Sequence, residues 1–578
     1  MLIIELGVTL LALVVAFVVP KVGSSVLAPI ERKLAWLAHR RQLAVLVVGG
    51  TSLALRAAVL PILPIPYPGL QDEFSYQLMA DTFAHGRLTN PTHPMWVHFE
   101  TLFVIHRPSY CSMYYPAQGM FLALGQLVGR HPFWGVWLSV GLMCSAICWM
   151  LQAWVGPFWA LIGGLLSAIR IGAFSYWDNS YWGGAVTALG GALVLGALPR
   201  IKRSQRVRDA LLMGAGFALL ATSRPYESLF FSVPVFTALG IWMWRRARGG
   251  QRQHWLQAAF PLALVLIATA GFLLYYFWRT TGNPVLPAYI VNLRTYAVNP
   301  NFAWLPLRPA PQYHHEIIRS HWGDWDIRPY DMIRAHPIVS VVVKVLMLWF
   351  FYLGPLLSLP FLALGFALPY GTSLKDVGAK TRFLLLVCAA NLIAMFLAVP
   401  DNPHYAAAVT AAIYTLVLMA MQRIRRWRHN SMPTGVFLVR SVAVLAVVLL
   451  VLRIAIPLFG LSIRNPSAPW TWASPWNQLR ARARVENQLK AESGKHLVIV
   501  HYNPGHDPGE GWVNNRADID KSKIVWAQDM GPEENLELIN YFKGRNIWLI
   551  QPDVNPFQVT PLPDDQEQAA RTRLGIRK

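Results

Sequence analysis

The chain has 578 residues, of which 54% are hydrophobic and only 14% are charged, with a mean hydropathy of +0.36. A soluble domain carries about 25% charged residues, so this composition excludes a disordered chain and does not fit a soluble multidomain enzyme. The formal net charge of +22 would suit a nucleic-acid-binding protein, so the location of the basic residues decides the matter.

Five short loops between apolar runs hold most of the positive charge. Together they contain 21 basic residues against three acidic ones. Short Lys- and Arg-rich loops beside apolar spans are the positive-inside signature that orients membrane proteins. We therefore expect no nucleic-acid partner. The loops lie near residues 21–41, 200–208, 245–252, 375–382 and 423–428.

Apolar runs recur from the first residues to about residue 460, which predicts a polytopic α-helical membrane protein with about twelve spans. If each run crosses once, all five basic loops face the cytoplasm. Residues 1–41 are then an extra first span with a cytoplasmic loop, and 42–464 form the main transmembrane domain. The runs are 3–20, 42–64, 133–155, 156–174, 184–199, 209–223, 228–245, 256–278, 345–369, 383–399, 404–421 and 435–460.

Two outer segments of this arrangement are long, residues 65–132 and 279–344, and both are rich in Pro, His, Trp and Tyr. Within the first, apolar residues at helical spacing predict a helix over 72–84 that lies along the membrane surface. Long aromatic and ionisable loops above a helical bundle commonly carry function.

The tail, residues 465–578, is predicted to be a small extracytoplasmic α/β domain. Its pattern indicates a helix over 480–492, strands over 496–502, 523–528 and 546–550, and a helix over 532–542. The tail has no Gly-rich phosphate loop and is too short for a complete nucleotide-binding domain.

The adjacent acids Asp72 and Glu73 begin the predicted surface helix. One interpretation is helix capping, because Asp is a favoured cap and an acid in the first turn suits the helix dipole. The functional interpretation is a general base at the membrane boundary, where partial desolvation raises the pKa of a carboxylate. The two are compatible, since a capping acid is a fixed acid.

Further charged residues fall near the outer ends of spans. Asp178 lies in a short outer loop, Arg224 in another, and Arg170 one turn inside a span. Charges at such depth are costly and often functional, but a structural ion pair is an equally good account. The aromatic residues around Asp178 are either an interfacial belt or a stacking wall for a sugar. Arg56, in the second span, has no evident role.

Three sequence features together resemble the GT-C superfamily of membrane glycosyltransferases. They are the acidic pair in a long first outer loop, an acid in a short second outer loop, and two short motifs. "SYCSMYYPAQGMFLALG" (109–125) is similar to a Lys-Pro-Pro segment before a surface helix, and "DNPHYAAAVTAAIY" (401–414) to the "PHY" entry into a late span. The likeness covers roughly 40–460 and is nearest to protein O-mannosyltransferases and the lipid A aminoarabinose transferase.

The resemblance implies an inverting glycosyltransferase whose active site faces away from the cytoplasm. It would move a sugar from a polyprenyl-phosphate donor to a hydroxyl of a glycan, lipid or protein acceptor. Asp72 would be the base and Glu73 would position it or the acceptor. Asp178 matches the second-loop acid only loosely.

The chain departs from this family where relatives carry the Lys that contacts the lipid phosphate. Here the stretch reads Met113-Tyr114-Tyr115-Pro116. Since polyprenyl phosphate leaves only if cations meet its charge, other residues are needed to bind the phosphate or sugar. The candidates are Arg107, Tyr115, Arg170, Arg224, Arg294 and His404.

The sequence identifies no cofactor, and a divalent metal ion is the less favoured interpretation of the loop histidines, which more often form hydrogen bonds. Other classes stay open: a non-catalytic polyprenyl-phosphate-binding relative, a transporter or flippase, and an oligosaccharide ligase with a lipid diphosphate donor. Membrane lipid is an expected partner, and a bacterial inner membrane is the expected location.

Overall fold

The computed structural model describes residues 1–248, 252–367, 377–400, 402–459, 480–554 and 558–561. The predicted boundary between 464 and 465, part of the basic loop 375–382, and the first residue of the 401–414 motif lie outside the described residues.

The predicted fold class, a helical membrane protein with a small C-terminal α/β part, is confirmed. Several helices begin with Pro in their first turn, where its missing N–H has no helical partner to lose. The apolar helices are Leu2–Val18, Arg41–Ala58, Phe133–Trp154, Pro157–Ile171, Ala185–Ser204, Val207–Ser223, Pro225–Arg248, Arg252–Thr281, Pro337–Tyr352, Gly354–Ala367, Ala379–Leu397, Thr410–Ile424 and Thr434–Ala455.

Seven of the described helices are long and apolar enough to cross a membrane, or eight if one bent pair counts as a span. Others, such as Leu2–Val18 and Pro157–Ile171, are apolar but shorter. The count of about twelve therefore stays a prediction. The amphipathic helix Ser24–His39 was not predicted from the apolar runs.

The run 345–369 is not one continuous helix, so its single crossing of the membrane stays a prediction. Two helices, Pro337–Tyr352 and Gly354–Ala367, meet there. Gly354 has φ +56, which side chains rarely adopt, and a Cβ on it would lie 2.8 Å from Glu5 Oε1 and 2.7 Å from Arg170 Nη2. The break is therefore built on glycine and faces a buried ion pair.

The chain divides into two compact units. The first, termed the helical unit, comprises Met1–Ile65, Val136–Gly271 and His336–Trp476. The second, termed the loop–tail unit, comprises Pro66–Gly135, Phe272–Ala335 and Asn477–Lys578. The two long outer loops of the prediction thus group with the tail.

Two buried cations hold parts of the helical unit together. Arg170 Nη1 lies 3.4 Å from Glu5 Oε1, and the same guanidinium donates to the carbonyls of Phe350 and Phe351. Lys344 donates to three carbonyls at the end of the helix Ala379–Leu397, those of Met395, Ala398 and Val399. Such contacts satisfy charges that would otherwise be costly away from water.

The loop–tail unit contains shorter helices around two sheets. Strands β1 (Val104–Ile105) and β2 (Cys111–Ser112) form an antiparallel pair. The helices are Gln71–Ala84, Pro116–Gly129, Ala288–Tyr296, Glu316–Arg319, Ile327–Ala335, Arg480–Ala491 and Pro532–Tyr541, with short turns of helix at Trp96–Phe99, Ser320–Trp325 and Pro508–Glu510.

The tail folds into a four-stranded sheet of order β4-β3-β5-β6. Strand β3 (His496–Val500) lies parallel to β4 (Ile524–Gln528) and β5 (Asn546–Gln551), and β6 (Gln558–Pro561) runs antiparallel to β5. Both helices and the first three strands of the tail match the prediction, and β6 was not predicted. All five residues of β3 are buried, as a central strand covered on both faces requires.

The helix Gln71–Ala84 packs directly against this sheet. Leu78 shares a core with Leu497, Ile499 and Val525, and Phe74 shares a second core with Val498. The predicted helix is confirmed, and its residues Phe74, Leu78 and Met79 are buried in protein; its placement along the membrane surface stays a prediction.

Arg482 lies in the first turn of the helix Arg480–Ala491. It connects Tyr67, just before the helix Gln71–Ala84, to the tail. Its guanidinium donates to the hydroxyl of Tyr67, to Glu486 at 2.9 Å and to two backbone carbonyls, and it stacks on aromatic faces. Burial would raise the pKa of Glu486, but the charges of Arg482 and Lys490 outweigh it and lower that pKa to about 2. The carbonyls belong to Trp512 and Asn514, and the rings to Phe74 and Trp526.

We expect Leu78→Ala to lower the free energy of unfolding by about 2–5 kcal/mol, because a side chain only 3% exposed leaves a cavity in the shared core. Thermal unfolding in detergent measures the effect. Val128→Ala, at an 80% exposed position on the neighbouring helix, is the matched control and should change it by less than about 0.5 kcal/mol. Equal shifts in both variants would contradict the shared core.

Candidate active site

Two adjacent acids at the start of the helix Gln71–Ala84 have different local roles. The N-cap is Leu70, and Glu73 Oε2 accepts hydrogen bonds from the backbone N–H of Gly69 at 2.5 Å and of Leu70 at 3.2 Å. This is the reciprocal arm of a capping box. Glu73 is buried and fulfils the capping role that the sequence suggested for the pair, whereas Asp72 lies one position earlier in the first turn.

The Asp72 carboxylate is half-buried and accepts a hydrogen bond from the Tyr114 hydroxyl. Tyr114 in turn stacks on Tyr76, one helical turn after Asp72, with ring centroids 4.5 Å apart and planes 11° apart. The helix fixes the carboxylate, and the aromatic stack fixes its hydroxyl partner. Tyr114 lies in the Met113–Pro116 stretch, which departs from the Lys-Pro-Pro pattern that the sequence resembles.

The segment that holds Tyr114 is positioned by the helix Pro116–Gly129. Pro116 starts that helix at its first position, and Tyr115 precedes it with its ring edge-on to Phe277 at 6.0 Å. The helix approaches Gln71–Ala84 closely at Gly119, where a Cβ would come within 2.2 Å of Met79 Sδ. A side chain at 119 would separate the two helices and with them Asp72 and Tyr114.

A second cluster joins the two long loops around Glu100, and sequence reasoning missed it. Glu100 is buried and accepts hydrogen bonds from the Tyr296 hydroxyl at 2.6 Å and from His314 Nδ1 at 2.8 Å. His315 Nε2 lies 3.9 Å from the same carboxylate and 2.7 Å from the carbonyl of Val97. About 200 residues separate these partners, so no spacing rule could have paired them.

Burial keeps several loop histidines neutral. It lowers the pKa of His106 to about 3, and it lowers the pKa values of His98 and His315 as well. Neutral imidazoles could serve as metal ligands, but among the described residues no group of three or more His, Cys, Asp or Glu side chains is placed to hold a metal ion.

Asp178 lies in the helical unit, in the loop between Pro157–Ile171 and Ala185–Ser204, and only 1% of it is exposed. Arg56, whose role the sequence left open, donates to the backbone carbonyl of Asp178 at 3.4 Å and to that of Leu63 at 2.9 Å. Burial raises the pKa of Asp178 well above its ordinary value, and the charge of Arg56 opposes this shift.

The aromatic residues around Asp178 pack inside the helical unit instead of forming an exposed belt. The Tyr176 hydroxyl lies 3.0 Å from His404 Nδ1, and the His404 ring is 4.8 Å from that of Trp182. Arg224 stacks over the ring of Tyr405 at 4.4 Å, and Tyr405 is the residue that follows His404 in the sequence. These residues form one cluster in that unit.

The remaining predicted phosphate-binding residues are scattered. Arg170 is engaged by Glu5 and two carbonyls, as described above. Arg107 is exposed and lies over the ring of Trp96 at 4.7 Å, and Arg294 is exposed on the helix Ala288–Tyr296.

Within the loop–tail unit, the structure therefore brings Asp72 into contact with Tyr114, and Glu73 caps the helix in the same first turn. Within the helical unit, it brings His404 to Tyr176 and Arg224 beside Tyr405, and it sets Asp178 beside Arg56. Sequence reasoning named Asp72 but not Tyr114 as its partner. The stretch Met113–Pro116 could have indicated this partner, since a tyrosine there supplies a hydroxyl donor.

No protein-family model matches the chain, and no curated protein matches it either. Solved structures do match. The archaeal oligosaccharyltransferase AglB from Archaeoglobus fulgidus, in complex with an inhibitory peptide and a dolichol-phosphate, is 11% identical over 89% of this chain and 70% of its own, with a TM-score of 0.43.

Two further structures are similar to the chain. ArnT from Cupriavidus metallidurans bound to undecaprenyl phosphate is 12% identical over 89% of this chain and 93% of its own, with a TM-score of 0.45. Arabinosyltransferase EmbB from Mycobacterium smegmatis is 14% identical over 70% of this chain and 37% of its own, with a TM-score of 0.39.

All three identities lie below 25% and all three TM-scores lie below 0.5, so these likenesses assign neither an activity nor site residues to this chain.

The capping role of Glu73 predicts a stability effect that its neighbour lacks. We expect Glu73→Ala to lower the free energy of unfolding by about 1–3 kcal/mol, because it leaves two half-buried backbone N–H groups without their carboxylate acceptor. Asp72→Asn keeps an oxygen for Tyr114 and should cost less than about 0.5 kcal/mol. Denaturant or thermal unfolding of both variants in one detergent measures the difference, and equal losses would contradict the division of roles.

Proposed function

We propose that the protein is an inverting glycosyltransferase that moves a sugar from a polyprenyl-phosphate donor to an acceptor hydroxyl outside the cytoplasm. The observation that carries the proposal is the Asp72–Tyr114 pair: a half-buried carboxylate, fixed on the first turn of a packed helix, that accepts a hydrogen bond from a tyrosine hydroxyl. The resemblance of 109–125 and the acidic pair to the GT-C superfamily supports it.

The chemistry needs one base. Asp72 accepts the proton of the acceptor hydroxyl as its oxygen attacks the anomeric carbon. The bond from that carbon to the phosphate oxygen breaks at the same time, and polyprenyl phosphate leaves with the electron pair. A single displacement inverts the anomeric carbon, so no second, nucleophilic carboxylate is required. Outside the membrane the donor has to arrive already activated on its lipid.

Partial burial suits Asp72 to this role. A fully exposed carboxylate is a weak base, and a fully buried one cannot reach a substrate. Tyr114 orients the carboxylate, and Glu73 fixes the turn that carries it. Glu73 thus acts as a positioning residue in this proposal.

The leaving phosphate needs cations, since its developing charge has to be met. Arg107 and Arg294 are exposed in the same unit as Asp72 and are the candidates there. Arg224 and His404 are candidates in the helical unit, and Arg170 is better explained by its ion pair with Glu5. We retain Asp178 as the acid of the second outer loop, a role that is part of this proposal.

The orientation belongs to the same proposal. With the basic loops in the cytoplasm, the segments that form the loop–tail unit lie on the outer side. A bacterial inner membrane fits the basic short loops and the four free cysteines.

We expect Asp72→Asn to lower release of polyprenyl phosphate by about 10²–10⁴-fold, because it removes the general base while keeping the shape of the side chain. The assay uses a panel of radiolabelled polyprenyl-phosphate sugars with purified full-length protein, and donor binding is measured in parallel. Glu316→Gln is the control, since it removes an exposed acid that pairs with Arg319 in the same unit.

Donor binding without release by the wild type would replace the proposal with a non-catalytic polyprenyl-phosphate-binding relative. Neither binding nor release by folded protein would favour a transporter or flippase. Full activity in Asp72→Asn would exclude Asp72 as the base.

The hydroxyl of Tyr114 predicts a change in the pH profile of the same assay. A donor to a carboxylate stabilises its ionised form. We therefore expect Tyr114→Phe to move the acid limb of the pH–rate profile to higher pH, with the rate on the alkaline plateau less affected. Tyr541→Phe is the matched control, because it removes a hydroxyl that donates to Asp520 elsewhere in the same unit, and it should leave the limb in place. An unchanged limb in Tyr114→Phe would separate Tyr114 from the base.

A further inference from the structure

A cavity of about 690 Å³ in the loop–tail unit lies apart from Asp72. Its walls come from the segment 86–91 after the helix Gln71–Ala84 and from the end of the helix Arg252–Thr281. Asp72 lies at the other end of the 14-residue helix, about 20 Å away at the usual rise per residue. One phosphate cannot occupy both places.

Two arginines line the cavity, Arg87 and Arg279. Within the described residues, Arg87 Nε is buried without a hydrogen-bond partner, and Arg279 donates only to the Tyr275 hydroxyl at 3.2 Å. Neither guanidinium forms an ion pair in the described part of the chain. Asp518 interacts electrostatically with Arg87, but its carboxylate forms its ion pair with Lys521, at 2.9 Å.

No acidic side chain is among the residues that line the cavity: Gly86, Arg87, Leu88, Thr89, Asn90, Pro91, Ser109, Tyr275 and Arg279. Two uncompensated guanidinium groups at one cavity attract an anion, and the planar fork of arginine suits phosphate oxygens. The volume falls within the range of about 300–1,000 Å³ that small-molecule sites occupy.

The wall that carries Arg279 identifies where the anion comes from. Arg279 belongs to the final turns of the candidate span Leu256–Thr281. Tyr275 is 48% exposed and Trp278 is 53% exposed, which is the aromatic pattern of a membrane–water interface. Leu274 is exposed beside them, so acyl chains would find an apolar surface next to the cavity.

We propose that this cavity binds the phosphate headgroup of an anionic membrane phospholipid, with Arg87 and Arg279 as its cationic contacts. The site is separate from the reaction proposed above and does not depend on it. A lipid held there would fix the outer end of the span to the segment that follows the Asp72 helix.

The test is native mass spectrometry of the full-length protein in an uncharged detergent, titrated with dioleoyl phosphatidylglycerol. We expect a one-to-one adduct that Arg87→Gln/Arg279→Gln weakens at least about tenfold, as loss of charge-assisted hydrogen bonds implies. Arg328→Gln/Arg516→Gln removes the same charge from two exposed positions and should retain the adduct. Equal melting temperatures without lipid show that the variants are folded.

Three comparison ligands distinguish the source of the anion. Dioleoyl phosphatidylcholine should bind more weakly, because its ammonium cancels the phosphate charge. Inorganic phosphate that binds as tightly as the lipid would assign the cavity to a soluble anion and overturn the proposal. Undecaprenyl phosphate that binds where phosphatidylglycerol does not would overturn it in favour of the carrier lipid. Equal weakening of lipid binding in both double variants would show that the adduct forms by non-specific charge attraction, and it would overturn the proposal.

Discussion

The loop–tail unit depends on one buried guanidinium, that of Arg482. It joins Tyr67, just before the Asp72 helix, to Glu486 on the tail and to backbone carbonyls beside the sheet. Two aromatic faces enclose it, so the charge is paired, hydrogen-bonded and removed from water. Without such pairing, a cation in this core would carry a large desolvation cost. Arg482 therefore adds a polar tie to the two apolar cores that hold the first long loop on the tail.

The two acids at the start of the helix Gln71–Ala84 satisfy different local demands. Glu73 satisfies the backbone at the helix start, which is a demand of every helix. That leaves the neighbouring carboxylate to be oriented from outside the helix, by Tyr114. Two acids that are neighbours in the sequence therefore make different contacts, and only Glu73 caps the helix.

Much of the fold followed from local pattern. Apolar runs located the long helices and the tail strands, because both depend on neighbouring residues. The break at Gly354 was not visible, since it depends on Glu5 and Arg170 far along the chain. The Asp72 pair was found from its type and place. The contact of Asp72 with Tyr114 and the Glu100 cluster could not be predicted, because residues far apart in the sequence show no characteristic spacing.

The shared core also sets an order of events during synthesis. Tyr67 and Glu486 touch in the finished protein but are separated by 419 residues. At a translation rate of about 5–20 residues per second, the earlier segment waits roughly 20–85 seconds for its partner strands to be made. During that interval Phe74 and Leu78 have no sheet to cover them. The segment with the candidate base is thus translated among the first elements and becomes fully packed among the last. A chain interrupted before β3 contains both Asp72 and Tyr114 but lacks the sheet on which their helix packs.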